Sequence, residues 1–197
     1  MRPINISTAL KSCLVYFTLT SLSFAGAWSL ETDSSHLNYL TIKKNVIGEN
    51  NSFNNISGHI SENGEAKIEI DLSSVNTGID IRDHRLKEMF FKVANFPKAV
   101  ISAEIDIEEI TAMGTGEIGT FDLTAELSLS GISNEIDTEV LVTKISDNAY
   151  KVDTKEMIII DTNDYELFDE LEILRTTASL NSITPIIPVS FSLVFRK

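Results

Sequence analysis

From Trp28 onward, apolar and polar residues alternate with a period of two through most of the chain. That is the pattern of strands with one buried and one wet face. Residues 37–43 predict a strand of imperfect alternation. Residues 45–55, rich in Asn, Gly and Ser, predict a loop. Residues 53–60 predict a second strand leading into Glu62-Asn63-Gly64, and an Asn-Gly pair between patterned runs is the strongest short hairpin signal. The return strand, 66–72, sets Ile68, Ile70 and Leu72 on one face and Lys67, Glu69 and Asp71 on the other. Residues 101–108 and 121–129 alternate strictly, and the glycine-rich 112–119 between them predicts a turn or bulged strand. A turn at 130–134 leads to a strand over 135–145, and Asp147-Asn148 turns into another over 150–160. Residues 168–174 fit a helical turn, and 189–195 form the last strand.

One stretch, 74–97, breaks the alternation for long enough to make a turn and a short helix. Asp80 is placed to cap that helix, with Asp83 in its first turn. Leu86, Phe90 and Val93 follow at helical spacing, and Pro97 ends the run. About eight strands joined by short turns, without intervening helices, predict an all-β antiparallel architecture. Periodicity leaves a barrel and two packed sheets both open. An eight-stranded β-barrel with a short helix between strands is preferred, because closure removes the sheet edges.

The 197 residues suit one domain, 28–197, behind a processed leader, 1–27. Arg2 and Lys11 give a positive start, Cys13 to Phe24 is an apolar run of 12 residues, and Ala25-Gly26-Ala27 supplies a small-residue cleavage site. This is the layout of a cleaved signal peptide, so the expectation is an exported protein, periplasmic or secreted. The one cysteine, Cys13, lies in the leader. The mature chain therefore has no thiol for disulfides, thiolate metal sites or nucleophilic catalysis, and its core must hold the fold unaided. Loss of Arg2 and Lys11 moves the formal charge from −13 to −15. So acidic a chain lacks the basic footprint of a nucleic-acid binder.

Several motifs then converge. The chain carries Ser74-Val75-Asn76-Thr77-Gly78, Arg82-Asp83-His84-Arg85-Leu86-Lys87, Phe90-Phe91-Lys92-Val93 and Phe96-Pro97 in that order. Further on stand Gly119-Thr120-Phe121-Asp122-Leu123-Thr124 and Leu127-Ser128-Leu129-Ser130-Gly131-Ile132. The ending runs from Leu174-Arg175 to Ile183, then Ile187-Pro188-Val189-Ser190-Phe191-Ser192-Leu193-Val194-Phe195. Together these resemble the YceI-like family over nearly all of the mature chain. The resemblance implies a lipocalin-like barrel, exported, of a family in which some members hold a polyisoprenoid chain such as a quinone-type tail. Two departures bear on the ligand's identity rather than on the fold. Ser133-Asn134-Glu135 stands where the family often has Thr and a basic residue, and Asp161 to Glu166 replaces an R-x-D-[FW]-G segment.

Candidate chemistry is sparse. There is no G-x-S-x-G, no phosphate loop and no HExxH, and His36, His59 and His84 share no ligand spacing, so neither an enzyme nor a metal site is expected. Asp161, Asn163 and Asp164 begin like a calcium loop, but Glu166 occupies the position that requires glycine. Glu104, Asp106, Glu108 and Glu109 read as the outer face of a strand. Arg82 and Asp83 have two readings, holding a ligand's polar head at a barrel mouth or satisfying backbone groups around the helix, and the second is preferred. A lipid site inside the barrel needs few polar contacts. Its expected lining is Phe53, Ile68, Ile70, Phe90, Phe91, Ile105, Leu127, Leu129, Phe191 and Leu193, with Arg82 and Asp83 at the edge. The expectation is a binding protein for a long apolar or amphiphilic lipid, with no cofactor beyond a bound polyisoprenoid or quinone-like molecule. The alternative is a filled barrel that acts on a membrane electron-transport partner or in envelope stress through protein contacts. The sequence leaves the oligomeric state open.

Overall fold

The computed structural model describes residues 28–197. The leader expected over 1–27 lies outside the described residues. Twelve strands follow in chain order: β1 (Trp28–Leu30), β2 (His36–Lys43), β3 (Ile47–Phe53), β4 (Ile56–Ile60), β5 (Glu65–Asp71), β6 (Val75–Asn76), β7 (Lys98–Glu104), β8 (Ile118–Leu129), β9 (Ile132–Ser146), β10 (Ala149–Thr154), β11 (Ile158–Asp161) and β12 (Ile186–Arg196). Three helices join them: α1 (Asp80–Arg85), α2 (Ile107–Ala112) and α3 (Phe168–Thr177).

The twelve strands form eight runs. β1 and β2 lie end to end along one edge of β12, opposite Arg196–Phe195 and Ser192–Val189 in turn. β10 and β11 do the same along its other edge. β3 and β4 lie against β2 and β1, and β6 continues β5 against β3. The sequential order then runs through β5, β7, β8, β9 and β10 to β12, which pairs back with β1 and β2. Every pairing is antiparallel, and the ring is closed. The result is a closed, eight-stranded, lipocalin-like β-barrel.

Local chemistry fixes the turns. Ser130 and Gly131 both have positive φ, 54° and 84°, which is the two-residue hairpin whose twist matches the flanking strands. β9 therefore begins at Ile132, earlier than the alternation suggested. Gly64 has φ 88°, and a Cβ there would collide with the Ile105 carbonyl oxygen. The Asn-Gly turn thus closes the β4–β5 hairpin and receives the Ile105 N–H on the Gly64 carbonyl at 2.9 Å.

Three elements differ from expectation. The polar stretch 45–55 contains β3, because β2 supplies a full ladder from Asn38–Ser52 to Lys43–Ile47. Asn51, buried at that seam, donates from Nδ2 to the Thr41 hydroxyl at 3.1 Å. Residues 101–108 do not stay extended, because the Asp106 carboxylate accepts the Glu109 N–H at 3.0 Å and starts α2. The run 150–160 is broken at 155–157 into β10 and β11, which pair with separate halves of β12.

The helical interruption closes one barrel end. Ile79 holds the N-cap position of α1, and Asp80 is its first helical residue without capping it. The Phe91 N–H reaches back five residues to the Leu86 carbonyl at 2.8 Å, a π turn at the end of α1. That widened turn points both Phe90 and Phe91 inward, and both are buried. α3 packs beside it through Leu171 and Leu174, and Lys92 binds Glu170 at 2.6 Å across the joint. At the opposite end the inward Lys144 is buried and donates to the Met113 and Thr111 carbonyls, at 2.8 and 3.3 Å, tying down the C-terminal end of α2.

Candidate functional site: an apolar cavity inside the barrel

Alternation along every strand sends one set of side chains to the barrel axis, and these do not fill it. A cavity of about 350 Å³ remains, within the roughly 300–1,000 Å³ typical of small-molecule sites. Its walls come from the inward residues of the strands, such as Ile68 and Ile70 of β5, Leu127 and Leu129 of β8, and Phe191 and Leu193 of β12. The closed end is formed by Phe90 and Phe91 of the π turn with Leu171 and Leu174 of α3.

All ten apolar residues expected to line the interior do so: Phe53, Ile68, Ile70, Phe90, Phe91, Ile105, Leu127, Leu129, Phe191 and Leu193. Arg82 and Asp83 do not. Arg82 grips Glu49 of β3 through both nitrogens, at 2.8 and 3.1 Å. Asp83 accepts the Thr77 N–H at 2.9 Å and its hydroxyl at 2.6 Å. Arg82 therefore fastens α1 to the barrel wall, and Asp83 holds the turn that leads into α1. The three histidines lie apart from the cavity on β2, β4 and α1.

An aromatic file runs down the closed end. Tyr39 of β2 stacks on Phe53 at 5.4 Å between centroids, Phe53 on Phe91 at 5.7 Å, and Phe91 edge-on to Phe90 at 5.0 Å. Tyr39 was missing from the expected lining. The signal was its place with Leu37 and Thr41 on one face of β2, obscured because Tyr39-Leu40 interrupts the alternation. Its hydroxyl is buried without a hydrogen-bond partner, as is that of Thr162, which also lines the cavity. Burial, reinforced by the charge of Asp83, pushes the Tyr39 phenol far above its ordinary value, so it remains a neutral donor.

The mouth lies where β7 ends and the chain turns into α2. β8 pairs with β7 only from Ala125 to Ser128, so its first half leaves a gap beside α2. The only exposed residues of the cavity lining are Glu104, Asp106, Glu109 and Asp122. These carboxylates, three of them read from sequence as a strand's outer face, border the opening. Among the described residues, no lysine, arginine or histidine lines the cavity. Ile105, Ile110, Phe121 and Leu123 form its apolar throat, half-buried beneath that rim.

Comparison with known proteins fits this geometry. A polyisoprenoid-binding domain from Saccharophagus degradans, implicated in plant cell wall breakdown, is 36% identical and superposes with a TM-score of 0.85. The match covers 86% of this chain and 98% of that one. BcnA of Burkholderia cenocepacia shares the fold at 15% identity and a TM-score of 0.63, over 84% of this chain and 98% of its own. A YceI protein of Campylobacter jejuni does so at 19% identity and 0.52, over 75% and 84%. No curated protein sequence matches the chain. The YceI-like domain model matches residues 28–195, essentially the whole barrel, and the chain therefore belongs to the YceI-like family.

Proposed function

We propose that this chain is an exported binding protein that holds one long apolar or amphiphilic lipid, a polyisoprenoid or quinone-like molecule, inside its barrel. The observation that carries the reading is the apolar cavity of about 350 Å³, walled by the barrel strands, closed at one end by the π turn and α3, and open through an apolar throat. A relative 36% identical is described as a polyisoprenoid-binding domain, which supports the ligand class. Export rests on the leader pattern of residues 1–27.

The energetics are adequate. Burying ten methylenes at about 0.8 kcal/mol each contributes roughly 8 kcal/mol, the scale of micromolar binding before association costs. Reaction chemistry has no support in the site. The cavity's polar groups are isolated hydroxyls and rim carboxylates, without a nucleophile, base and orienting group in mutual contact.

The test is direct. The mature protein is purified from its natural host, its native mass is measured, and an organic extract is analysed. A lipid released in near-stoichiometric amount is expected. If repeated preparations carry none, and the protein takes up no labelled isoprenoid or fatty chain, the carrier reading is wrong.

A further inference from the structure

We propose that the lipid enters head first, and that Tyr39, with Thr162, hydrogen-bonds an uncharged oxygen of its polar end while the chain trails toward the carboxylate-rimmed mouth. This rests on the carrier reading above and assigns the head group's chemical class and its seat.

Two independent observations carry it. The first is the pair of orphaned hydroxyls. Tyr39 is 8% exposed and Thr162 3%, both line the cavity, and neither hydroxyl has a protein partner. Buried hydroxyls are nearly always satisfied, because leaving one unpaired forfeits its hydration. A cavity built only for hydrocarbon would use Phe and Val at these places. The Tyr39 ring is fixed by Phe53, and its neutral phenol is a donor as well as an acceptor. A carbonyl oxygen, as in a quinone, ketone or ester, accepts a hydrogen bond from such a hydroxyl.

The second observation is charge. The mouth carries Glu104, Asp106, Glu109 and Asp122, and among the described residues no cation lines the cavity. Lys155, which lies within electrostatic reach of Asp122, is held by Glu139 at 2.9 Å. Lys144, the buried cation at this end, is held by the Met113 and Thr111 carbonyls and does not line the cavity. A phosphate or carboxylate head therefore meets carboxylates at the rim and no cation on the cavity wall. An uncharged head avoids both, and it reaches the hydroxyls only when it goes in first.

The experiment compares the wild-type mature protein with Tyr39→Phe, Thr162→Val and the double variant. Both substitutions keep the side chain's shape, and near-ultraviolet circular dichroism checks that the barrel is intact. Three probes share a four-isoprene chain: a naphthoquinone, the plain hydrocarbon and the diphosphate. The quinone is expected to bind tightest, Tyr39→Phe to weaken it by about tenfold, and hydrocarbon binding to stay the same or tighten. The bound quinone's carbonyl stretch should move to lower frequency in the wild type and return toward its unbonded value in Tyr39→Phe. Equal quinone affinity and carbonyl frequency in wild type and double variant would overturn the proposal while leaving the carrier reading intact. Diphosphate bound as tightly as quinone would also overturn it. Failure of all three probes to bind would reject the carrier reading and this proposal together.

Discussion

Arg82 of α1 and Glu49 of β3 form a two-pronged ion pair, Nη1 to Oε2 at 2.8 Å and Nη2 to Oε1 at 3.1 Å. Lys43 adds a second cation to the same carboxylate at 2.7 Å. The pair spans 33 residues of sequence and fixes the helical plug to a strand that composition alone disguises as a loop. Its geometry suits the planar guanidinium, which a lysine cannot copy.

Arg82→Lys and Arg82→Ala should therefore both loosen the plug. Because the pair is partly exposed, the alanine change is expected to cost only about 1 kcal/mol in urea unfolding. Amide exchange across α1 should accelerate more than that loss implies, since the tie is local. Unchanged exchange in α1 would show that the aromatic plug alone holds it.

Phe91 should matter far more. It is buried, touches Phe53 and Phe90, and closes the cavity. Phe91→Ala is expected to destabilise by about 3–5 kcal/mol, read from the denaturant midpoint at constant slope. The space released adjoins the cavity, so a surviving fold should accept a longer or bulkier apolar probe. A cost below about 1 kcal/mol would mean that the plug is not part of the core.

Lys144 offers a test of the other end. Its ammonium serves the Thr111 carbonyl in the last turn of α2 and the Met113 carbonyl just beyond it, and 8% of the residue is exposed. Lys144→Met keeps the apolar stem and removes the donor. The unpaired carbonyls should cost about 1–3 kcal/mol. Exchange should rise over 107–113, and ligand release should quicken if that segment frames the mouth. Stability and exchange equal to wild type would remove Lys144 from this role.

Acid should weaken the fold through a defined set of carboxylates. Burial favours the protonated form of Glu49, but the Lys43 hydrogen bond and the Arg82 and Lys43 charges outweigh it and hold its pKa down. Lys98 and Lys67 lower Glu69, the Ser73 hydroxyl lowers Asp71, and Lys92 lowers Glu170. Each group binds its proton less readily folded than unfolded. The stability they give is complete above the unfolded carboxylate range near pH 4–4.5 and is lost as pH falls through the folded values. Urea midpoints should be level from pH 7 to about 5 and fall below about 4.5. A midpoint unchanged down to pH 3 would contradict the assignment.

Much of the barrel was legible in the chain because a strand's period of two is written residue by residue. Ile68-Glu69-Ile70-Asp71-Leu72 and Phe121 to Leu129 declare their inner faces without any partner. Their inward residues line the cavity as the alternation requires. The turns at Gly64 and Ser130-Gly131 were legible for the same reason, since the need for positive φ is local.

Other features depended on partners that the alternation does not reveal. Residues 47–53 become a strand because β2 offers a ladder, and 107–112 become a helix because Asp106 caps it before alternation can continue. Arg82 and Asp83 stood out as candidates by charge, but their partners Glu49 and Thr77 decide that they hold the turn. Likewise, the shared face of Leu37, Tyr39 and Thr41 points Tyr39 inward, but nothing in the spelling of Tyr39, Thr162 or the rim carboxylates shows that the hydroxyls stay unpaired or that the carboxylates border an opening. The sequence by itself determined an antiparallel all-β chain interrupted by a helical clasp, because periodicity and turn chemistry are short-range. Only the tertiary structure decided that the barrel is hollow, where it opens, and which hydroxyls face inward unpaired, because cavities and orphaned groups arise from how distant strands meet.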